Sequence, residues 1–126
     1  MMRSFHDYEI KNYKVEINGE NSYIEFIVSS DSMTKQIIFD KMLAFKIEDV
    51  NNFQNVILDI LELNVDSLVQ VNSLFFEKKR DYMWPIDFDT IQDLKDYLVQ
   101  NSFKAFIISS SLGLNGWIIA KEMKVI

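Results

Sequence analysis

Over residues 8–28 apolar and polar side chains alternate, the period of a strand that buries one face. Asn18-Gly19 interrupts the alternation, and this dipeptide favours the two positive-φ positions of a tight hairpin turn. A two-residue loop pairs Ile17 with Glu20, Val15 with Ser22 and Tyr13 with Ile24. Tyr13, Val15 and Ile17 then share a face with Ile24, Phe26 and Val28. Upstream the apolar parity is even, at Tyr8 and Ile10, so a bulge or break is expected near Lys11-Asn12. After a polar stretch over 29–33, Ile37, Phe39, Leu43, Phe45 and Ile47 lie on one face of a third strand spanning 37–47, interrupted only by Lys41. Three such strands in succession make an antiparallel meander.

The period then changes. Phe53, Val56, Ile57, Ile60 and Leu61 recur at helix spacing behind Asn51 or Asn52 as a cap, which predicts a helix over 53–61. The same residues include "NVILDI", which also reads as a short buried strand over 55–60, and periodicity leaves both readings open. Leu68, Val71, Leu74 and Phe75 predict helix within 64–82, a stretch that also tolerates a strand. Trp84-Pro85 ends it. Ile91, Leu94 and Leu98 then predict a further helix with Asp87 or Asp89 as its cap. Asn115-Gly116 predicts a second hairpin that pairs Leu114 with Trp117, Leu112 with Ile119, Ile108 with Met123 and Phe106 with Val125, while Gly113 admits a longer loop. The expected fold is one α+β domain over residues 1–126. It has about five antiparallel strands, an N-terminal meander plus a C-terminal hairpin, with two or three helices packed on one face.

Composition narrows the function. The chain of 126 residues is 48% apolar, enough for one sizeable core and too apolar for a disordered segment. It has no cysteine, which removes disulfides and thiolate chemistry and suits a reducing cytoplasm. Thirteen basic and 19 acidic side chains give a net charge of −6. Phosphate backbones require a positive footprint, so nucleic acid is not expected as a partner. A basic protein is favoured instead, through long-range steering. The first ten residues, with Arg3, His6, Asp7 and Glu9, offer no apolar stretch for a secretory signal, and later apolar runs such as 105–108 fall far short of a membrane span. A cytoplasmic protein with no membrane association is expected.

His6-Asp7 joins the only histidine to a carboxylate. As a metal site the doublet lacks the further histidines of metal-dependent phosphohydrolases, and one imidazole without a thiolate falls short of a zinc centre. Ser109-Ser110-Ser111 supplies hydroxyls without a Gly-x-Ser-x-Gly elbow. "LGLNG" lacks the lysine and the following helix of a phosphate loop. No cofactor, metal or catalytic residue is therefore assigned. The structural reading of the doublet has Asp7 accepting from backbone donors at a strand entrance and His6 donating to a carbonyl or carboxylate, so that the pair pins the edge. Asp81, Asp87, Asp89, Asp93 and Asp96 place five carboxylates within sixteen positions, against Lys95 as the one base. They form either a solvated helix face or a docking surface for a basic partner. Tyr82 and Trp84 beside them favour docking, since aromatic anchors inside a polar rim are typical of interfaces; Trp84 is equally a core candidate.

"SFHDYEI" followed by alternating strands and then "FQNVILDI" resembles small bacterial proteins that open with a Phe-His-Asp-x-Glu-hydrophobic motif and later carry an Asn-hydrophobic-hydrophobic segment. Several such families are grouped with immunity proteins of polymorphic toxin systems. The resemblance rests on Phe5, His6, Asp7 and Ile10, with Phe53, Gln54, Asn55, Val56 and Ile57 in support, and covers the first half of the chain. It implies a single-domain, non-enzymatic protein that binds and neutralises a cognate toxin, and an acidic surface that suits a basic toxin domain. It also implies that "NVILDI" is a sheet segment. Two alternatives stand beside it: a small hydrolase with a carboxylate-assisted site at His6-Asp7, and a small-ligand binding domain with a deep cavity lined by Phe and Tyr.

Overall fold

The structure, a computed structural model, describes residues 5–126; Ser4 of the opening motif and Arg3 lie outside the described residues. β1 (Glu9–Glu16) and β2 (Tyr23–Ser30) form the first hairpin. Val15 faces Ile24 and Tyr13 faces Phe26, a register two residues away from that of a two-residue loop. The loop is longer because residues 19–21 wind into a 3-10 turn, held where the Ser22 hydroxyl accepts from the Asn18 N–H at 2.8 Å and donates to the Gly19 carbonyl at 2.8 Å. A slip of two preserves the side-chain parity, so the apolar face survives. Ile17 is lost to solvent, at 87% exposed, and Tyr13 is exposed at the edge of that face. The ladder shifts between Ile10 and Asn12, where the change of parity places a bulge.

The third strand divides. β3 (Met33–Asp40) pairs with β2, but Lys41 takes a left-handed conformation (φ 53°) and the chain turns away into β4 (Ala44–Glu48). In the C-terminal half, β6 (Lys104–Leu112) pairs with β7 (Asn115–Ala120), and past Lys121 the chain continues as β8 (Glu122–Val125). β4 pairs with β7 and β3 with β8. With β5 (Val56–Leu63) the order is β4-β7-β6-β5-β1-β2-β3-β8, antiparallel throughout. Because β3 runs on into β4 and β7 into β8, the two ends of this order meet at one corner and the sheet curls into a barrel. Lys121 N–H donates to the Asp40 carbonyl at 3.1 Å and Leu43 N–H to that of Ile119 at 2.8 Å across the corner. The Asp40 carboxylate also accepts from Lys124 Nζ and from the Lys41 N–H, each at 3.0 Å. The Lys124 hydrogen bond, ahead of the Lys41 backbone bond, holds the Asp40 carboxyl below its ordinary range.

Residues 53–61 are not a helix. From Val56 onward they are β5, lying between β1 and β6. The ladder to β6 jumps from Ile57–Ser110 to Asp59–Ser109, leaving Leu58 as an extra residue. That bulge points both Ile57 and Ile60 inward, so a three-residue spacing that imitates a helix stripe arises within a strand. Phe53 and Leu61, counted in the stripe, are exposed. The second hairpin also departs from expectation. Its turn runs through Gly113 (φ 80°), and Ile108 faces Gly116 while Phe106 faces Ile118. Met123 and Val125 instead pair with Phe39 and Ile37. Matching one apolar face fails here because β6 and β7 bury both. Phe106, Ile108 and Ile118 face the barrel interior, and Ala105, Ile107, Trp117 and Ile119 face the helices. The two bends and the strand at 56–63 account for eight strands where about five were expected.

The interior is filled by aromatic and branched side chains. The ring of Phe39 lies 5.9 Å from Phe26 on the neighbouring strand and 5.2 Å from Phe106 on a strand that is not its neighbour, as closure of the sheet requires. Outside the barrel, α1 (Val65–Val71), α2 (Ser73–Lys79), a 3-10 turn over 80–82 and α3 (Ile91–Gln100) form a layer over β6 and β7. The helix within 64–82 is thus two short ones. α3 is capped by Thr90 rather than Asp87 or Asp89. Asp93 N–H donates to Thr90 Oγ1 at 3.1 Å and Thr90 N–H to Asp93 Oδ2 at 3.2 Å, a reciprocal capping box. Val69, Phe76, Leu94 and Leu98 form the second core against Trp117 and Ile119. Burying each such side chain stabilises the fold by about 1.5–3 kcal/mol. Among the described residues, no helix is long and apolar enough to cross a membrane.

One polar knot ties the loop between β4 and β5 to the turn between β6 and β7. Asn55 Oδ1 accepts from Leu114 N–H at 3.0 Å and from Asn51 N–H at 3.2 Å, and Asn55 Nδ2 donates to the Asn51 carbonyl at 3.1 Å. A Cβ at Gly113 would collide with Asn55 Oδ1, so that turn requires glycine on grounds of space as well as φ.

Candidate functional site

Where α2 passes over the end of β4, the two cores leave a groove of about 440 Å³ lined by Phe45, Lys46, Phe75, Lys79, Tyr82 and Trp84. Lys46 faces Trp117 across the β4–β7 ladder, which turns it toward the helical layer. The next pair is Ile47–Gly116, and a Cβ at Gly116 would strike the Lys46 carbonyl oxygen. Glycine there allows the close approach of β4 that sets the floor of the groove.

The wall is a packed set of rings. Phe75 stands edge-on to Trp84 at 5.7 Å and to Trp117 at 6.1 Å, Phe76 stacks on Trp84 at 6.0 Å, and the two tryptophans lie 6.1 Å apart. Trp84 joins the outer core on one side, as its core reading expected, and lines the groove with the other. Tyr82 is 79% exposed at the end of the 3-10 turn. Lys46 Nζ lies 5.2 Å and Lys79 Nζ 5.5 Å from the centre of the same Phe75 ring, within reach of a cation–π attraction. Lys46 is also paired with Glu48.

The acidic residues 81–96 all face solvent but do not form one patch. Asp81 adjoins Tyr82 at the groove, and Arg80 gathers this corner: its Nε lies 4.0 Å from Asp81, and its Nη1 donates to the Asp89 carbonyl at 3.3 Å. Asp87 is exposed on the same connecting segment, between Trp84 and Asp89. Asp93 and Asp96 belong to α3. Asp93 completes the capping box, and Asp96 accepts from Gln92 Nε2 at 2.8 Å and lines a separate depression with Asp66. Of the seven residues singled out in the sequence, Asp81, Tyr82, Trp84, Asp87 and Asp89 thus share the segment beside the groove, while Asp93 and Asp96 serve the helix. Phe45, Lys46, Phe75 and Lys79 were not anticipated. For Phe75 and Lys79 the only sequence signal was a run of aromatic and basic residues over 75–80, in a stretch whose secondary structure was ambiguous; Phe45 was legible only as an apolar strand position, and Lys46 carried no signal.

His6 and Asp7 lie in an open, polar depression with Glu9, Lys11, Ser29, Ser30, Asp31 and Gln54. His6 Nδ1 is 3.0 Å from Asp7 Oδ2, with side chains 57% and 73% exposed. The pinning expected of these side chains is carried out by the main chain. Asp7, at φ 69°, donates its N–H to the Ile57 carbonyl at 2.8 Å, and Ile57 N–H donates to that of Tyr8 at 2.8 Å. Among the described residues no group of three or more His, Asp or Glu side chains is placed to share a metal ion.

Compared with known proteins, the chain matches no family model, no curated protein and no solved structure.

Proposed function

We propose that this chain is a non-enzymatic, cytoplasmic protein-binding module of the immunity type, which neutralises a cognate toxin domain by docking through the segment 79–89. One observation carries the reading: an exposed aromatic side chain, Tyr82, lines a ring-walled groove, and Asp81, Asp87 and Asp89 are exposed on the same connecting segment. Interfaces concentrate their affinity in such aromatic anchors, while a charged rim sets partner choice and encounter rate. The net charge of −6 favours a basic toxin. The opening motif adds its resemblance to immunity proteins. Calorimetric titration with the C-terminal domain of a toxin encoded beside this chain tests the proposal. Tyr82→Ala is expected to weaken binding about 30-fold, the loss of an interface hot spot. Asp87→Lys is expected to slow association, and neither variant changes the melting temperature. Unchanged binding by both variants would refute it.

The hydrolase reading is favoured by the open depression at His6-Asp7, whose lining includes Ser29, Ser30, Glu9 and Asp31. Hydrolysis of a chromogenic ester that disappears in His6→Ala, with partner binding intact, would place the function there instead.

A further inference from the structure

We infer that this chain pairs with a second copy of itself along the free edge of β1, in a two-fold symmetric antiparallel ladder centred on Val15. This is independent of docking at the groove. β1 meets β5 only at its start: Glu9 faces Val56, Ile10 N–H donates to the Asn55 carbonyl at 2.7 Å, and Ile57 N–H donates to that of Tyr8 at 2.8 Å. Beyond Ile10 the ladder to β2 runs on to Glu16, but among the described residues nothing pairs with the other side of the strand. Up to Ile10 the groups that face β5 belong to even-numbered residues. The extra residue at Lys11 shifts that parity, so past the bulge Tyr13 and Val15 turn their N–H and carbonyl groups to the open side. An unpaired edge of this kind is a template for another strand.

The side chains select a second copy as that strand. With the two-fold at Val15, one face sets Val15 against its counterpart and Tyr13 against Ile17 of the other copy, the latter twice. The opposite face sets Lys14 against Glu16 of the other copy, again twice. Ile17, 87% exposed just past the end of β1, thereby gains an apolar neighbour. Glu16 has no ion-pair partner among the described residues, and Lys14 lies 3.8 Å from Glu25, beyond hydrogen-bond length, so its protons remain available. Neighbouring registers fail. A two-fold at Lys14 opposes two lysines directly, and one at Tyr13 sets Glu16 against Ile10, whose edge β5 already holds. A lysine on an edge ordinarily turns other strands away, but the glutamate two residues on readmits the antiparallel twin. Symmetry then repeats every favourable pair, as an isologous contact requires.

Residues 13–17 of each copy make the contact, which lies at the small end of interface sizes, so self-association is expected at about 0.1 mM. Sedimentation equilibrium of the full chain between about 10 μM and about 1 mM should show the mass rising from one chain toward two. Glu16→Lys sets lysine against lysine and Lys14→Glu sets glutamate against glutamate, so each should weaken the dimer at least about fivefold. An equal mixture of these two variants recreates both opposite-charge pairs and should recover association. Ile17→Asp, at a position already in solvent, should weaken it as well and tests the register if Lys14→Glu does not fold. Amide exchange resolved by NMR should slow at Tyr13, Val15 and Ile17 as concentration rises, with Asn12, Lys14 and Glu16, which face β2, unchanged. A monomer at about 1 mM, association indifferent to charge reversal, a mixture no tighter than its separate variants, or protection outside 13–17 would overturn the inference. So would a chain that stays monomeric while an added toxin domain protects Tyr13 and Val15, since the edge then belongs to that partner.

Discussion

Replacing Asn55 by alanine removes three hydrogen bonds at once, because this one amide joins the loop before β5 to the turn before β7. Each bond contributes about 1 kcal/mol net, and the loss leaves two half-buried N–H donors, those of Asn51 and Leu114, without their acceptor, so the total is about 2–4 kcal/mol. For a domain of this length that lowers the melting temperature by roughly 6–16 °C. Asn55→Asp retains the oxygen that accepts from Leu114 and Asn51, but at neutral pH it sets a second, anionic oxygen against the Asn51 carbonyl in place of the donating amide, so it costs that bond, about 1 kcal/mol, together with the repulsion of two facing acceptors. Thermal melts followed by circular dichroism, with the two variants run beside the parent, separate the cases. An Asn55→Ala melt within about 2 °C of the parent would refute the knot as a source of stability.

Thr90→Ala breaks the capping box of α3 and should lower stability by about 1 kcal/mol, read from the urea midpoint, and raise amide exchange in the first turn of that helix. The Asp40 carboxyl is held below its ordinary value of 3.8, so its contribution is present above that value and is lost as pH falls through the lowered one. The gap in urea midpoint between the parent and Asp40→Asn should therefore narrow on acidification from about pH 6 to about pH 2; a constant gap would contradict the role of Lys124 at the corner. His6→Ala should leave the melting temperature within about 2 °C of the parent, since the exposed pair contributes little and the main chain of Asp7 does the fastening.

The first hairpin was legible because one of its faces is buried and the other wet, so alternation and bulge could be read directly, and even a misjudged turn length preserved the faces. The helix at 91–100 was legible for the same kind of reason, a single apolar stripe. Sequence reasoning failed where that condition fails. On β6 and β7 both faces are covered, so parity carried no information about register. In β5 the bulge at Leu58 converts an alternating pattern into a three-residue spacing, and a helix was the natural reading. The bends at Lys41 and Lys121 have no marker beyond an unexpected charge in an apolar run, although they close the sheet. Tyr82, Trp84 and the carboxylates near them could be singled out because they are contiguous in the chain. The lysine pair could not, since Lys46 reaches the groove only through the pairing of β4 with β7.

The proposed docking through the segment 79–89 is tested most directly by amide hydrogen exchange on the chain alone and in complex with the partner proposed above. The account predicts slowed exchange at 79–89 and on β4 around Lys46, with residues 6–9 and 29–31 unchanged. Protection confined to residues 6–9, 29–31 and 54, with 79–89 exchanging as in the free protein, would contradict it.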